Sequence, residues 1–328
     1  MKFSEGRRRL VSLALAFTCA MPFAAMAQTY PTKPIRLIVG FAAGSSGDIT
    51  ARIIGHGMGE QLGQTIVVEN RPGASSMIAN EFVSRAPKDG YTLLLATVAA
   101  TINTTLMPGK GPNFQKDLAP IAAVGAIPNI LVVNPTVPAK SVKELIALAK
   151  AKPNELLYGA SGIGSGPQMA AELFKQMADV QMGSVLYPGS AQTVTDLIAG
   201  RTQVMFSPAS AVLGFIKQDM VRPLATTQAK RMKALPDLPT VAEEALPGYD
   251  AGVWFGILGP AGTDTAIIKR LSEAVNAALK DPKIIQDLDA QGLEALGGSP
   301  EDFSRMIASE TERWAKVVNR MKETKQIQ

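Results

Sequence analysis

The chain has almost no cysteine or histidine: one of each occurs among 328 residues. The cysteine, Cys19, lies in an N-terminal segment that resembles a removable export signal. Without that segment the chain has no disulfide, no thiolate nucleophile and no cysteine metal ligand. The histidine, His56, lies in a helical pattern, where a solvated or structural role is usual. A Ser-His-Asp triad would have to use it, and no Gly-x-Ser-x-Gly elbow fits a strand–turn–helix segment. We therefore expect no enzyme.

Long apolar runs and clusters of positive charge are also absent beyond the N-terminus. No later run approaches the roughly 18 apolar residues that a membrane-spanning helix needs. No basic cluster with interleaved aromatic residues occurs, which predicts that the chain does not bind nucleic acid. Neither a Gly-Lys-Ser/Thr phosphate loop nor EF-hand spacing is found, so we expect no cofactor and no metal.

The first 27 residues have the three parts of a secretory signal peptide. Arg7-Arg8-Arg9 supply a positive start, residues 10–19 are apolar, and Ala25-Met26-Ala27 forms a small-x-small cleavage site. This segment holds four cations and one anion, so its removal lowers the formal net charge from +5 to +2. The sequence thus predicts an exported protein. A retained membrane anchor is the alternative, and the choice between Sec and twin-arginine export stays open.

Two loops rich in glycine and serine, 44–48 and 161–166, are the most informative feature of what is present. Each follows an apolar strand-like run, 35–41 or 156–158, and leads into a helical pattern. A helix N-terminus has unpaired N–H groups and about half a positive charge, which suits a bound anion. One such loop lies in each half of the chain, so we expect two lobes that hold one small anion. The alternatives are two plain tight turns, or a dinucleotide loop, which Pro167 disfavours because it replaces the third glycine.

Strand and helix patterns alternate along most of the chain, which predicts an α/β fold with parallel sheets. Strands are predicted at 35–41, 65–69, 91–96, 127–133, 156–158, 184–186 and 203–206, and helices at 49–61, 77–85, 141–152, 169–177, 192–199 and 265–279. Ligands of open α/β sheets bind beyond the carboxyl ends of the strands. Four loops in such places have suitable composition: 44–48, 97–105, 161–168 and 187–192.

These four loops contain no lysine, arginine or histidine. A carboxylate bound there would depend on backbone N–H groups and neutral side chains, each bond contributing about 1.5–3 kcal/mol. The neutral donors are Ser45, Ser46, Thr101, Asn103, Ser161, Ser165 and Ser190. Asp48 has a second interpretation, as a capping residue of its helix.

Two helix signals mark the C-terminal part. Thr240 and Glu243 have the spacing of a capping box, and Ser299-Pro300 begins a long amphipathic helix. The apolar face of that helix includes Trp314, which we interpret as a core residue rather than a platform for ligand stacking.

Several segments have a family-specific character. The most distinctive are Val68-Glu69-Asn70-Arg71-Pro72-Gly73-Ala74, Asp89-Gly90-Tyr91-Thr92-Leu93-Leu94, Leu235-Pro236-Asp237-Leu238-Pro239-Thr240 and Trp254-Phe255-Gly256. In these motifs the chain resembles the substrate-binding receptors of tripartite tricarboxylate transporters, the Bug family. The resemblance covers nearly the whole mature chain.

The resemblance implies a two-lobed α/β fold of the type II periplasmic-binding-protein kind, each lobe a sheet flanked by helices with a ligand cleft between. It implies a first lobe of residues 28–125 and 224–328 and a second lobe of residues 126–223. A monomer would capture a small carboxylate between the loops 44–48 and 161–168 and deliver it to integral-membrane transporter subunits. The alternative is an exported enzyme that acts on a small carboxylate in the same cleft.

The chain departs from the family pattern at several positions. Members often have histidine at the positions of Gln168 and Ser184, lysine at that of Pro188 and an acidic residue at that of Ser207. An amino-acid ligand, whose ammonium group needs an acidic partner, is therefore less favoured than an aromatic monocarboxylate or a dicarboxylate. The complete set of predicted ligand-binding residues is Ser45, Ser46, Gly47, Asp48, Thr97, Thr101, Asn103, Ser161, Gly162, Gly164, Ser165, Gln168, Tyr187, Gly189, Ser190 and Ser207.

Overall fold

A mixed sheet of ten strands organises the protein, as seen in a computed structural model that describes residues 30–323. The predicted signal peptide at 1–27 lies outside the described residues. Lys33 begins one continuous folded unit, and residues 30–32 belong to a separate N-terminal segment. Within the described range, no helix combines the length and the apolar character needed to cross a membrane.

The first part of the sheet, called here the first sheet, has the strand order β2-β1-β3-β9-β4, and β10 also pairs with β4. Its strands are β1 (Ile35–Val39), β2 (Ile66–Asn70), β3 (Thr92–Thr97), β4 (Leu118–Val133), β9 (Gly252–Pro260) and β10 (Glu294–Gly297). Strand β1 is parallel to β2 and β3, whereas β9 and β10 pair antiparallel with their neighbours. The prediction of parallel sheets is therefore confirmed for β1, β2 and β3 and wrong for the pairs that involve β4, β9 and β10.

The second sheet begins where β4 changes partners. Residues up to Pro128 pair with β9, and residues from Asn129 pair with β7. The other strands are β5 (Leu157–Ala160), β6 (Gly183–Leu186), β7 (Val204–Pro208) and β8 (Arg222–Thr226). Strand β5 is parallel to β6 and β7, and β8 pairs antiparallel with β4. The division of the lobes at 125/126 and 223/224 stays a prediction.

Helices cover the sheets. They are α1 (Ser46–Leu62), α2 (Met77–Ser84), α3 (Val98–Leu106), α4 (Val142–Ala151), α5 (Gly166–Ala178), α6 (Ser190–Ile198), α7 (Ala209–Ile216), α8 (Val241–Glu244), α9 (Thr265–Ala278), α10 (Pro282–Ala290) and α11 (Pro300–Glu323). The sequence predicts those that begin near residues 49, 77, 141, 169, 192, 265 and 299, but not α3, α7 and α10. The capping box of Thr240 and Glu243 is confirmed, with both reciprocal hydrogen bonds present. The loop predicted at 97–105 is wrong after Thr97, because Thr97 caps α3 and the chain continues as helix to Leu106.

The core confirms the interpretation of Trp314. Its side chain is fully buried on the inner face of α11, and its indole N–H donates to the Glu310 carboxylate at 3.0 Å. Helix α11 also contacts helix α5 of the second sheet, since the Gln176 amide donates to the Val317 carbonyl at 3.2 Å.

Buried hydrogen bonds join the chain segments that run between the two sheets. The Thr227 N–H donates to the Asn129 carbonyl at 2.9 Å, and the Ala251 N–H donates to the Thr227 carbonyl at 2.8 Å. The Asn129 side-chain amide donates to the Ala251 carbonyl at 3.2 Å. These bonds hold the crossing segments side by side at the place where β4 changes partners.

Candidate ligand-binding site

A small cavity lies at the carboxyl ends of the strands and is bounded by elements of both sheets. Its volume is about 70 Å³. It is lined by Phe41, Ala42, Ser45, Ser46, Gly47, Thr97, Ala99, Ser161, Ser165, Gly166, Pro167, Pro188, Gly189, Ser190, Pro208, Val253 and Phe255. Residues from all four predicted loops are among them.

Five helices begin at this cavity. Their N-cap residues are Ser45 for α1, Thr97 for α3, Ser165 for α5, Gly189 for α6 and Pro208 for α7, and all five line the cavity. Each helix N-terminus has the equivalent of about half a positive charge and stabilises a nearby anion by about 0.3–1 kcal/mol, up to about 2 kcal/mol when partly buried. Because the five fields add at one place, the cavity favours negative charge.

Three capping hydroxyls keep a proton that they can donate to a ligand. The hydroxyl of Ser45 accepts the Asp48 N–H at 3.2 Å, and that of Ser165 accepts the Gln168 N–H at 3.3 Å. In α3, the Thr97 hydroxyl accepts from the second helical N–H at 3.3 Å. A hydroxyl has one proton as well as its lone pairs, so accepting these bonds leaves the O–H free to donate. Ser165 and Thr97 are buried, which strengthens such bonds.

Helix α6 begins with backbone N–H groups that no side chain caps. Its N-cap, Gly189, has no side chain, and no side chain caps the first turn. The first N–H groups of a helix have no partner within it, so those at Ser190, Ala191 and Gln192 are open to a ligand or to water. In α5, by contrast, Pro167 has no N–H and Ser165 occupies the N–H of Gln168, which leaves the Gly166 N–H.

The described residues that line the cavity include no charged side chain. Their apolar part consists of Phe41, Val253, Phe255 and the three prolines at 167, 188 and 208. The cavity therefore combines hydrogen-bond donors at helix N-termini with an apolar wall. Such a surface can bind a carboxylate end and an uncharged hydrocarbon body, and it offers no anion to an ammonium group.

A larger groove of about 610 Å³ lies on the outer side of α1 against the edge strand β2. It is lined by the middle and end of α1, including Arg52, His56 and Glu60. No helix begins there. Arg52 is already paired with Asp48 at 3.0 Å, and His56 faces Glu60 at 3.5 Å. The groove therefore lacks the converging donors of the cavity, which is the better candidate site.

Eight of the predicted ligand-binding residues line the cavity: Ser45, Ser46, Gly47, Thr97, Ser161, Ser165, Gly189 and Ser190. The other eight do not: Asp48, Thr101, Asn103, Gly162, Gly164, Gln168, Tyr187 and Ser207.

Three of the residues outside the cavity, Gln168, Thr101 and Ser207, make hydrogen bonds within their own loop or helix. The Gln168 side-chain oxygen accepts the Gly164 N–H at 2.6 Å and so closes the β5–α5 loop. The Thr101 hydroxyl donates to Val98, one turn earlier in α3, at 2.7 Å. The Ser207 hydroxyl is buried and donates to the adjacent carbonyl of Pro208 at 3.2 Å.

Tyr187 also has a partner away from the cavity. Its hydroxyl donates to the Asp196 carboxylate at 2.8 Å. Burial first, and then the negative charge of Asp196, raises the pKa of Tyr187 to about 12. The phenol therefore stays neutral and holds the start of α6 against its later turns.

Asp48 is a structural residue of α1 and not its N-cap, which is Ser45. Its carboxylate accepts the Gly44 N–H at 2.9 Å, the Asn70 amide at 3.0 Å and two bonds from Arg52. Burial works to raise the pKa of Asp48, but the bonds from Arg52, Gly44 and Asn70 outweigh it and lower the pKa below 3.8.

Asp48→Asn is expected to lower the free energy of unfolding by roughly 1–3 kcal/mol at pH 7, since a charge-assisted network is lost. A carboxylate with a lowered folded-state pKa stabilises the protein above its unfolded pKa, and this contribution disappears as pH falls through the folded pKa. Urea unfolding of the wild type and the variant at pH 7 and pH 2.5 measures this contribution to the free energy of unfolding. The difference between wild type and variant should shrink at the lower pH, and an equal difference at both would contradict this role of the charge.

The apolar part of the cavity is not among the residues predicted from the sequence. Pro208 follows a predicted strand and precedes a helix, so the strand-to-helix rule used for the other loops could have found it. Phe255 belongs to the Trp254-Phe255-Gly256 motif, but its position follows from the pairing of β9 with β3 and β4, which local pattern does not reveal.

Comparison with known proteins gives a consistent result. Residues 50–322 match the family model described as "Tripartite tricarboxylate transporter family receptor". Protein BugT of Bordetella pertussis is 35% identical over 294 residues, which cover 89% of this chain and 90% of BugT.

Two solved structures share the fold over nearly their whole length. Rpa4515 of R. palustris, determined with adipate, is 37% identical with a TM-score of 0.84, covering 88% of this chain and 97% of its own. MatC (Rpa3494) from Rhodopseudomonas palustris, determined with bound malate, is 27% identical with a TM-score of 0.81, covering 88% of this chain and 100% of its own.

Proposed function

Since the chain belongs to the tripartite tricarboxylate transporter receptor family, we propose that it is a periplasmic receptor for a small carboxylate with an apolar body. Exported with removal of residues 1–27, it works as a monomer and delivers its ligand to integral-membrane transporter subunits. The observation that carries the proposal is the convergence of five helix N-termini on a cavity without charged side chains.

The donors around the cavity support an anionic ligand end. Backbone N–H groups of α1 and α6 and the hydroxyls of Ser45, Thr97 and Ser165 would bind carboxylate oxygens. Bonds to a charged acceptor contribute about 1.5–3 kcal/mol each. Three or four of them, with the helix fields, can outweigh the entropy lost on association and give a micromolar or tighter dissociation constant.

The apolar wall supports a dicarboxylate or aromatic carboxylate over an amino acid. Phe41, Phe255 and the prolines would pack against methylene or ring carbons. An ammonium group would meet only helix N-termini, whose positive ends repel it. The adipate in the Rpa4515 structure has two carboxylates on an uncharged hydrocarbon chain, which makes adipate a suitable first probe.

A thermal-shift panel tests the proposal, with adipate, malate, aspartate and adipamide as probes. Adipamide is the matched control because it keeps the shape of adipate without its charge. At a ligand concentration 100 times the dissociation constant, adipate should stabilise the protein by about 2.7 kcal/mol, a rise in Tm of about 5–10 °C. Adipamide should produce none.

Two outcomes would contradict the proposal. Stabilisation by aspartate alone would refute the preference for an apolar body. Conversion of adipate during incubation, detected by mass spectrometry, would indicate an enzyme, whereas recovery of unchanged adipate with stoichiometric binding supports a receptor.

A further inference from the structure

A three-residue turn beside the cavity, Ala74–Ser76, has an unusual backbone. Its φ angles are 45°, 52° and 75°, all in the left-handed region. Residues other than glycine adopt this region rarely, and three in succession carry a conformational cost. Such conformations persist where surrounding contacts enforce them, often at ligand clamps. We call this turn the strap.

One side of the strap contacts residues of the first sheet and of the helices that pack on it. The Ser76 hydroxyl donates to the Asn80 side-chain oxygen at 3.1 Å. A side chain at Gly40 would overlap Ser76, since its Cβ would lie 2.2 Å from the Ser76 oxygen. The Asn103 amide donates to the Ser75 carbonyl at 3.0 Å. The strap is thus bonded to α2 and α3, which pack on the first sheet, and lies against Gly40, directly after β1.

On its other side the strap reaches the second sheet. The Ser75 hydroxyl donates to the carbonyl of Ile163, in the loop between β5 and α5. This loop also contains Ser161 and Ser165, which line the cavity. Ser75 therefore connects the first sheet to a ligand-binding loop without lining the cavity itself.

Asn103 completes the connection. Its side-chain oxygen is buried and has no hydrogen-bond partner. It lies directly against Gly164 of the same loop, where an added Cβ would be 2.3 Å away. The position therefore suits only glycine, whose lack of a Cβ lets the loop lie this close to the oxygen. Asn103 thus contacts the strap with its nitrogen and the opposite loop with its oxygen.

We propose that Ser75 and Asn103 form a latch that holds the β5–α5 loop against the first sheet and so slows ligand release. The latch rests on the proposed function, because it acts on the same cavity. Its residues are positioning residues: they contact the loop and not the ligand. Loss of one neutral hydrogen bond of the latch should raise the dissociation rate of adipate about fivefold, with little change in the association rate.

The test uses distance measurement between two spin labels and needs no ligand. The labels are placed at Arg85→Cys and Glu155→Cys, both exposed, in a Cys19→Ser background of the full chain. Ser75→Ala removes the hydroxyl and keeps the backbone requirement unchanged. We expect the distances between the two labels to be more broadly distributed than in the wild type, with an added population at longer distance.

Two glycines of the loop provide a matched pair. Gly164→Ala and Gly162→Ala both force alanine into the left-handed region, at φ +71° and +91°. A Cβ at 164 collides with the Asn103 side-chain oxygen and lies 2.9 Å from the Leu106 side chain, both on α3, whereas the nearest atom to a Cβ at 162 is the Ser75 hydroxyl oxygen at 3.9 Å. Gly164→Ala should therefore shift the label–label distances to longer values, and Gly162→Ala should leave them as in the wild type.

The result that overturns the latch is an unchanged distribution in both Ser75→Ala and Gly164→Ala while thermal melts show folded protein. An equal increase of the label–label distance in Gly162→Ala and Gly164→Ala would also overturn it, since backbone strain in the loop and not the contact with Asn103 would then be responsible. If adipate fails to bind the wild type, the proposed ligand is wrong, but the label distances still decide the latch.

Discussion

Ser161→Asp weakens carboxylate binding by about a thousandfold. Ser161 lines the cavity, and its replacement sets a second negative charge beside a bound carboxylate. Two like charges about 4 Å apart repel by about 4 kcal/mol at the effective dielectric constant near a protein surface. Each 1.4 kcal/mol is a factor of about ten in the dissociation constant. Isothermal titration with adipate measures the loss.

Ser161→Asn is the matched control, because asparagine has the size of aspartate without its charge. It should lose far less affinity than the aspartate variant. An aspartate variant that binds like the wild type would remove this loop from the site, and equal losses in both variants would show a steric effect instead of repulsion.

Trp314→Ala lowers the free energy of unfolding by about 3–5 kcal/mol, the usual cost of truncating a fully buried aromatic side chain. The Trp314 ring is completely buried, and its truncation also leaves the Glu310 carboxylate without the indole N–H. For a chain of this size the fall in Tm should be roughly 10 °C. Chemical denaturation with an unchanged m-value measures the free energy directly.

Trp314→Phe separates the contribution of the buried ring from that of the indole hydrogen bond, because it keeps an aromatic ring and removes the indole N–H. Its loss should be smaller than that of the alanine variant. Adipate affinity should stay within about twofold in both variants if they are folded, since α11 does not line the cavity. A small stability change in Trp314→Ala would contradict its role in the core, and a selective loss of affinity would indicate a binding role.

Much of the fold could be predicted because its signals are local. The helix over Val142–Ala151 begins where Ser141 accepts the Glu144 N–H, as the spacing of these residues indicates. The Glu144 carboxylate accepts the Lys140 N–H at 2.6 Å. Caps and periodicity thus located most of the helices, with differences of a few residues at their ends, but not α3, α7 and α10.

Long-range pairing could not be predicted in the same way. The first half of β4 contains Pro120 and Gly125, which interrupt a strand pattern, and register shifts occur next to both. Only its pairing with β9 and β10 makes this segment a strand. The apolar wall of the cavity depends on that pairing, because Val253 and Phe255 lie on β9.

The lining of the candidate cavity could be predicted at the level of loops but not of single side chains. All four predicted loops contribute to the cavity, because strand-to-helix loops meet at one edge of a sheet. Composition does not reveal where a hydroxyl or amide points. Asn103 and Gly164 therefore have the right chemistry for a ligand, yet they contact each other across the two sheets.

A crystal structure with adipate shows where the ligand binds. We expect carboxylate oxygens within about 3.2 Å of backbone N–H groups of α1 or α6 and of the Ser45 and Ser165 hydroxyls, with the methylene chain against Phe41 and Phe255. An adipate molecule bound outside this cavity, or held by lysine or arginine side chains, would contradict the proposed site.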